Sequence, residues 1–517
     1  MRNSALSRLA DAANALMCLL VALFGAAVLI LARGSSTSLV IFLALSAGLF
    51  ALCLLLSRRF GSLGFDLSDQ PEKADLRVFF AAAGFSLLVS LVYLWAFFPG
   101  GFSSDTTTQW HQIRGELPLS DWHPALHTML LWLVTRIVEH PAFVLLLQGA
   151  FYACAVGYTA AALHKWRVPK RFAALSVLYL SANPAISNIM TFPWKDCAFA
   201  IAVLFLAVQL FEIHCSRGEW LKNKANPFFL ALTLTLSAIL RHNGIALSLA
   251  ALVWLLISVP GNKKRAVFTA LCFAALFALI KGPLYTAAGV KKDATPLDET
   301  IGLPMAVLSH TYVNAPESLD EETISFLETM APRETYIAHH RLGDWNETKW
   351  FVSPLPKDHS YTLPQVFGFA FKAALAKPQL AIEALSALFD LPMLPAGDAY
   401  WRMSPYVDAS AAQFGIEPAR QPFLSRALNW LCRTTASPAL SWLFWRPGVP
   451  LLFIMLACVL FARRRPLTAL LIPAAVICYH LATSVMLSSP TDFRFFLPTL
   501  MSAPPAIAAL LMRRQNP

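Results

Sequence analysis

The stretch PGGFSSDTTTQWHQIRGELPLSDWHP, residues Pro99–Pro124, separates two long apolar segments and is rich in polar and charged side chains. Asp105, Asp121 and His123 all lie within it. Apolar segments of roughly 17–25 residues have the length of a transmembrane helix. The stretch is therefore predicted to lie where the chain leaves the membrane, and its polar side chains are the first candidates for a functional site.

The composition of the whole chain points to a membrane protein. Of its 517 residues, 57% are hydrophobic and 14% are charged, whereas about a quarter of the residues in a soluble domain are charged. The net charge of +11 is not taken as a sign of nucleic-acid binding, because the basic residues lie in short loops between apolar segments. The nine cysteines show neither a disulfide framework nor the spacing of a metal site.

Twelve segments have the length and composition of membrane spans. They lie at 12–33, 38–57, 78–98, 141–163, 171–190, 195–215, 227–241, 243–259, 264–283, 447–463, 466–487 and 494–512. The predicted fold class is an all-α polytopic membrane protein with about 12 transmembrane helices.

The distribution of lysine and arginine predicts the orientation of these spans. Short basic connections occur at 58–59, 164–171, 217–224, 263–265, 463–465 and 513–514. Such connections are retained on the cytoplasmic side. Twelve spans place all six connections on that side, with both termini inside. The all-α membrane class and the absence of a eukaryotic retention signal suggest a bacterial plasma membrane. The loops at 99–140, 187–196, 241–244 and 488–494 then face outward.

All six basic connections lie on one side only if residues 122–139 do not cross the membrane. Their polar residues recur at a spacing of four, as at His123 and His127, while leucine, isoleucine and valine occupy the other side. This pattern predicts an amphipathic helix at the membrane interface. Asp121 is placed to cap its first turn, and Pro141 ends it before the next span.

One long segment, 284–445, is predicted to form an external, partly helical domain resting on the membrane. It holds 12 Lys and Arg and 17 Asp and Glu, against 29 and 13 in the rest of the chain. Helices are expected at 318–331, 364–390 and 421–433. The chain thus divides into an N-terminal membrane module at 1–283, this domain, and C-terminal membrane helices at 446–517.

Charged residues next to the spans on the outer face are few. The acidic ones are Asp105, Glu116, Asp121, Glu139, Asp196 and Asp492, and the basic ones are Arg114, Arg136, Lys195, Arg241 and Arg494, with Lys281 nearby. Cations are normally excluded from short translocated loops, so those kept at helix ends indicate an anionic ligand. A lipid phosphate is the natural candidate, and arginine suits bidentate phosphate binding.

Five short motifs at the outer face, together with this topology, resemble the GT-C superfamily of polyprenyl-phosphate-dependent glycosyltransferases. They are PGGFSSD (99–105), DWHP (121–124), TFPWKD (191–196), LRHNG (240–244) and DFRFFLP (492–498). The last is similar to the Arg-Tyr-Leu-Leu-Pro element of many such enzymes. Phe495 replaces the more usual tyrosine, which removes one possible hydroxyl contact.

The resemblance implies transfer of a sugar, with inversion, from a polyprenyl phosphate to an acceptor hydroxyl of a cell-envelope glycan, lipid or protein. The acceptor proton needs a base, and Asp105 occupies the family's acidic position in the first loop. Asp121 would orient the acceptor or the base. The departing phosphate needs fixed positive charge or donors, for which the candidates are Lys195, Arg241, His242 and Arg494, with His123 and Asp196 as further binding residues.

Each of these residues also has a structural interpretation. Asp105 and Asp121 could act as helix N-caps, and Arg494 could pair only with Asp492. Asp196 could hold Lys195 or form a plain surface ion pair. Trp110, Trp122 and Trp194 could stack on a sugar or belong to the interfacial aromatic belt. Asp105 and Asp121 could hold a divalent cation, although no ligand spacing demands one.

Three other classes of function remain open. A transporter or flippase of lipid-linked saccharides would also need many spans and external cations, but it would carry charged or broken helices near the midplane. An envelope transferase that moves phosphoethanolamine or acyl groups would need a nucleophile with a zinc cluster, or histidines arranged along a span. A non-catalytic scaffold would not need the charged residues that cluster at the outer face.

Overall fold

The computed structural model describes residues 2–33, 39–60, 64–66, 71–73, 75–291, 297, 300–352, 361–394, 404–461, 467–486 and 492–513. The predicted basic connection at 463–465 lies outside the described residues, as do residues 488–491 and 514. In the described part, regular structure is helical apart from one two-residue parallel strand pair, β1 (Phe65–Asp66) and β2 (Met512–Arg513).

The N-terminal membrane module begins with three long helices, passes through two short ones, and continues with a second series. The helices are α1 (Arg2–Arg33), α2 (Leu39–Phe60), α3 (Leu76–Ala96), α4 (Ser104–Arg114), α5 (Ala125–Thr135), α6 (Pro141–Lys165), α7 (Lys170–Ala182), α8 (Pro184–Ile189), α9 (Lys195–Cys215), α10 (Asn226–Ile239), α11 (Gly244–Ser258), α12 (Lys263–Leu279) and α13 (Tyr285–Ala287). A π-helical turn, Ile280–Leu284, joins α12 to α13, and 3₁₀ turns occur at Glu219–Lys222 and Pro260–Asn262.

The remaining helices form the segment after residue 300 and the C-terminal part of the bundle. They are α14 (Gly302–Asn314), α15 (Glu321–Glu328), α16 (Arg333–His339), α17 (Trp345–Thr348), α18 (Leu363–Ala376), α19 (Pro378–Leu388), α20 (Asp390–Met393), α21 (Pro422–Thr435), α22 (Ser441–Phe444), α23 (Gly448–Phe461), α24 (Leu471–Met486) and α25 (Leu497–Leu511). Further 3₁₀ turns lie at Pro316–Ser318, Ala409–Phe414, Leu467–Leu470 and Phe493–Phe496.

Eight of these helical stretches are long and apolar enough to cross a membrane, so the chain is a multi-pass membrane protein by length and composition. They are Val40–Phe60, Leu76–Ala96, Pro141–Lys165, Lys170–Ile189, Lys195–Cys215, Pro260–Ala287, Thr468–Val485 and Phe493–Leu511. The other four predicted spans coincide with shorter apolar helices, Asn14–Ile30, Asn226–Ile239, Gly244–Ser258 and Gly448–Leu460.

Helix α9 lies at the centre of the bundle and packs against α6, α10 and α25. Its spanning window is 89% buried, whereas the windows of α3 and of the α12 stretch are only 17% and 11% buried. A helix that is apolar on every side is stable only when protein or lipid surrounds it. The central helix is therefore enclosed by protein, and the outer helices present their apolar side chains to the bilayer.

Residues 99–103 are held against the α8–α9 connection by their two glycines. Gly100 has a positive φ of 104°, which a glycine adopts at little cost. A Cβ on Gly101 would collide with the Phe192 ring, and the Gly101 amide donates to the Thr191 carbonyl at 2.8 Å. This close approach brings the start of α4 next to the start of α9.

Helix α5 is the helix predicted within 122–139. Its 11 residues span about 16 Å, too short to cross a bilayer. The N-cap of α5 is Pro124 and not Asp121, but the Asp121 carboxylate, three residues earlier, accepts from the Ala125 amide at 3.0 Å and so serves part of the predicted capping role. His127 and Thr128 face the protein, whereas Leu133 is 59% exposed, so the apolar side of α5 is left for lipid.

The segment 284–445 divides into two parts. Residues 301–384 form a hydrophobic core of their own around α14, α18 and α19. The part that follows packs on the bundle, where Ile416 joins the core around Phe102 and Trp110. The predicted single helix at 364–390 is instead two main helices, α18 and α19, because Pro378 starts a new one.

Candidate active site

Six chain segments meet at one end of the bundle, which we call the site end. They are the start of α4, the connection before α5, the start of α9, the turn between α10 and α11, the π-helical turn after α12, and the 3₁₀ turn before α25. The opposite end carries the basic connections 164–171 and 217–224 and is called the basic end.

Asp105 lies in the first turn of α4, but it does not cap the helix. The N-cap is Ser103, whose Oγ accepts from the Thr106 amide at 3.4 Å and from Trp194 Nε1 at 2.7 Å. The alternative interpretation of Asp105 as the cap is therefore wrong. Its carboxylate is free to point into the site.

The Asp105 carboxylate contacts two cations from distant parts of the chain. Arg494 Nη1 donates to Asp105 Oδ2 at 2.9 Å, and Lys195 Nζ lies 3.4 Å from the same oxygen. Burial alone would raise the pKa of this carboxyl group, but Lys195 and Arg494 outweigh it and hold the pKa well below its usual range. Asp105 is thus firmly ionised when no ligand is bound.

Arg494 also pairs with Asp492, whose Oδ2 lies 2.9 Å from its Nε. The guanidinium carbon lies 4.7 Å above the Trp194 ring and 5.0 Å from the Phe495 ring. An arginine packed between aromatic faces keeps its charge while its orientation is fixed. The structural pairing with Asp492 and the contact with Asp105 therefore exist together.

Arg241 and Asp196 form an ion pair beneath this cluster. The Arg241 side chain is 7% exposed and the Asp196 side chain is 1% exposed. Asp196 thus pairs with Arg241 and not with Lys195, and the pair is buried, so both structural interpretations offered for Asp196 are wrong. Arg241 also donates from Nε to Asn243 Oδ1 at 3.1 Å and lies 4.4 Å from the Phe495 ring.

The turn that carries Arg241 is tight because of Gly244. A Cβ at this position would collide with the Ser237 carbonyl and the Phe199 ring. The LRHNG motif therefore needs a glycine at this position because no side chain fits against the neighbouring backbone. The tight turn places Arg241 and His242 at the site together.

Lys195 donates to His123 Nδ1 at 2.7 Å. Burial and then Lys195 lower the pKa of His123 to about 3, so this imidazole is neutral at physiological pH. Its neighbour His127 has a pKa lowered to about 3 by burial and then by Lys195, and Gln109 Nε2 contacts its Nδ1 at 3.0 Å. Both histidines support the network as neutral hydrogen-bonding groups.

Asp121 belongs to an adjoining part of the site. Lys281 Nζ lies 2.5 Å from its carboxylate, and His242 donates from Nε2 to its backbone carbonyl at 2.9 Å. Burial lowers the pKa of His242, although Asp121 opposes this shift. Asp121 therefore both accepts from the first amide of α5 and anchors a cation.

All eight residues selected from the sequence lie at the site end, in a network of two adjoining groups. Hydrogen bonds and ion pairs link Asp105, His123, Lys195, Asp196, Arg241 and Arg494, and Asp121 and His242 form the second group with Lys281. Lys281 and Ser103 belong to it as well but were not among the eight. The signal for Lys281 was a charge within an apolar run. Arg114 pairs instead with Glu139 at 2.6 Å, and Arg136 lies over Trp132 at 4.8 Å, so neither joins the network.

The three tryptophans have different roles. Trp110 is fully buried and packs edge-on against Phe102, which leaves no face for a sugar. Trp194 lies beneath Arg494. Trp122 is 37% exposed and is the tryptophan still open to a ligand or to the interface.

The charges of the network are balanced. Four carboxylates, Asp105, Asp121, Asp196 and Asp492, face four cations, Lys195, Arg241, Lys281 and Arg494. Among the described residues, no group of three or more His, Cys, Asp or Glu side chains is arranged to hold a metal ion. Asp105, at 26% exposed, is the most accessible of these carboxylates.

Residues 114–331 match a protein family described as "Family of unknown function (DUF6020)". No curated protein and no solved structure matches the chain. The matched region contains Asp121, His123, Lys195, Asp196, Arg241 and His242, while Asp105 and Arg494 lie outside it.

Proposed function

We propose that the protein is an integral membrane glycosyltransferase of the GT-C type. It crosses the membrane about twelve times with its site end outward, and it transfers a sugar from a polyprenyl phosphate to an acceptor hydroxyl. The single observation that carries this proposal is the contact of Asp105 with both Arg494 and Lys195, which places a carboxylate beside two cations at one accessible position.

The accessible part of the network supports this chemistry. Arg494 is 12% exposed and Lys195 is 15% exposed, so both are within reach of a ligand phosphate, whereas Arg241 lies deeper. An arginine and a lysine at one place can bind a phosphate through several charge-assisted hydrogen bonds. Arg241 adds charge from below and holds Phe495, on which Arg494 packs.

The reaction requires three groups to act on one sugar carbon. The acceptor oxygen forms a bond to C1 as the bond from C1 to the phosphate oxygen breaks, and the configuration at C1 inverts. The acceptor proton moves to the Asp105 carboxylate. The electron pair of the broken bond stays on the lipid phosphate, and Arg494 and Lys195 stabilise its added negative charge.

The low pKa of Asp105 disfavours a role as a base while no donor is bound. A carboxylate held by two cations is a weak acceptor of protons at neutral pH. A bound phosphate, however, would compete for the same two cations and weaken their hold on Asp105. The donor thereby raises the pKa of its own base, and Asp105 becomes an effective proton acceptor only when the donor is in place.

Asp121, Lys281 and His242 flank this centre and suit the acceptor side. Asp121 is oriented by the hydrogen bond that it accepts from the Ala125 amide and by its pair with Lys281. A rigid carboxylate beside a lysine can receive hydroxyl groups of an acceptor. His123, neutral and fixed by Lys195, orients that lysine toward the phosphate.

The experiment that tests the donor class uses purified protein with radiolabelled polyprenyl-phosphate sugars, with nucleotide sugars as a second donor set, and with a membrane extract as acceptor. We expect transfer from at least one polyprenyl-phosphate sugar and none from nucleotide sugars. Transfer from none of the lipid donors, together with translocation of a lipid-linked saccharide in proteoliposomes, would favour the flippase alternative.

A further inference from the structure

A groove of about 600 Å³ lies at the basic end, far from the candidate active site. Helices α6 and α9 form its floor, and α3 and α10 form its two walls. Both walls carry apolar side chains that are exposed on the outside of the bundle, Leu76 at 67% and Phe229 at 52%. The groove is therefore open toward the region that lipid chains occupy around the spanning helices.

Polar groups converge at one end of this apolar groove. Lys165 Nζ and Trp166 Nε1 both donate to Glu212 Oε2, at 2.7 and 3.0 Å, and Glu212 is 4% exposed. Asp75, at the start of α3, lies on the rim. The charged lining residues are Asp75, Lys165 and Glu212, which together carry one net negative charge.

Gln209, one turn before Glu212, has an unused acceptor. Its Nε2 donates to Thr233 Oγ1 at 3.1 Å, and the Thr233 hydroxyl donates to the Phe229 carbonyl at 2.8 Å. Because that hydroxyl has a single hydrogen, it can only accept from Gln209, which fixes the orientation of the amide. Gln209 Oε1 then has no partner although the residue is only 7% exposed.

A buried acceptor without a partner is costly, and here it lines a groove with apolar walls and a net negative end. The occupant that suits all three features has hydrocarbon chains and a cationic headgroup with N–H donors. We propose that this groove binds one phospholipid with a primary ammonium headgroup, of the phosphatidylethanolamine class, in the leaflet at the basic end. The ammonium group meets Glu212 and Gln209, and one acyl chain lies along Phe79 and Leu236.

The position of the groove gives this lipid a structural consequence. The groove separates α3 from α10, and α10 leads at its other end into the turn that carries Arg241. A lipid that fills the groove joins two helices that otherwise contact each other little. This proposal is independent of the reaction assigned to the site end.

The test reconstitutes the full chain into nanodiscs of mixed lipids and counts retained lipids by native mass spectrometry after detergent release. Phosphatidylethanolamine and phosphatidylcholine of identical chains are compared, because the trimethylated headgroup has no N–H donor. We expect wild-type protein to retain one ethanolamine lipid about tenfold more often than the choline lipid, as the loss of charged hydrogen bonds predicts. Equal retention, or preferential retention of phosphatidylglycerol, would overturn the proposal.

Three variants test where the lipid lies and what holds its headgroup. Ala161→Phe fills the groove and should abolish the retained lipid, whereas Ala81→Phe adds the same volume on the exposed side of α3 and should not. Gln209→Leu should still bind a lipid chain but should lose the preference for ethanolamine. Retention of the ethanolamine lipid by Ala161→Phe at the wild-type level would show that it is held elsewhere on the surface.

Discussion

Asp105 and Arg494 are 389 residues apart in the chain, yet Arg494 Nη1 lies 2.9 Å from Asp105 Oδ2. One residue starts the first short helix after α3, and the other lies in the last turn before α25. Their contact, together with Lys195 at 3.4 Å from the same carboxylate, joins the N-terminal and C-terminal parts of the chain in one charged centre at the site end. The proposed function depends on this contact.

If the proposed centre takes a phosphate, removal of its accessible arginine must weaken phosphate binding. We expect Arg494→Gln to reduce the affinity for a polyprenyl phosphate by about tenfold to a hundredfold, the effect of losing a charge-assisted hydrogen bond. The measurement is a binding titration in detergent. Arg114→Gln serves as the control, because Arg114 pairs with Glu139 outside the network, and an equal loss in both variants would argue against the assignment.

The carboxylate Asp105 competes with a phosphate for the same cations. Asp105→Asn should therefore bind polyprenyl phosphate more tightly than wild type, because Arg494 and Lys195 lose their internal partner. The same titration measures this change. Weaker binding in Asp105→Asn would mean that the carboxylate supports the phosphate site and does not compete with the ligand.

The buried pair of Arg241 and Asp196 is expected to matter for stability. Arg241→Met leaves the buried Asp196 carboxylate with only the Arg494 guanidinium near it, at 3.9 Å, which should cost about 3–5 kcal/mol of unfolding free energy. The double variant Arg241→Met, Asp196→Leu should recover most of this loss. Thermal unfolding in detergent measures both, and a double variant as unstable as the single one would show that the pair is not the cause.

The two neutral histidines predict a loss of stability in acid. His123 and His127 have pKa values lowered from 6.5 to about 3, so the unfolded chain binds more protons than the folded protein between these values. Their contribution is fully present above pH 6.5 and falls as the pH drops toward 3, by about 2 kcal/mol for each histidine at pH 5. His123→Gln should flatten this decline, and an unchanged pH profile would contradict the burial of a neutral imidazole.

Phe495 lies between two guanidinium groups, at 4.4 Å from that of Arg241 and 5.0 Å from that of Arg494. Phe495→Tyr keeps the aromatic face and should leave donor affinity unchanged. Phe495→Leu removes two cation–π contacts, each of about 0.5–2 kcal/mol, and should raise the KM for the donor. Equal KM values in the two variants would show that the ring only fills space.

The sequence predicted most of the long helices and the polar residues that meet at the site end. Long apolar runs such as 195–215 and 141–163 predicted α9 and α6 almost to the residue, since spanning length and terminal charge set those limits. The amphipathic spacing in 122–139 predicted α5 as a helix with one polar side, and Asp121 accepts from the first amide of that helix although Pro124 is its N-cap. Local pattern carries this information.

The partners of the charged residues could not be predicted in the same way. Ser103 rather than Asp105 caps α4, and Asp196 pairs with Arg241 rather than with its neighbour Lys195. Ion pairing across a folded bundle depends on which helix ends lie next to each other. The spacing of residues along the chain does not contain that information. For the same reason the sequence does not assign Lys281 to the site, because its partner Asp121 lies 160 residues away.

The most direct test of the central claim is the rate of sugar transfer by Asp105→Asn at saturating polyprenyl-phosphate donor, with Glu139→Gln as the matched control from the same stretch of chain between α3 and α6. If Asp105 accepts the acceptor proton, its variant should lose about a hundredfold or more in kcat, while Glu139→Gln retains the wild-type rate. Transfer by Asp105→Asn at the wild-type rate would contradict the account.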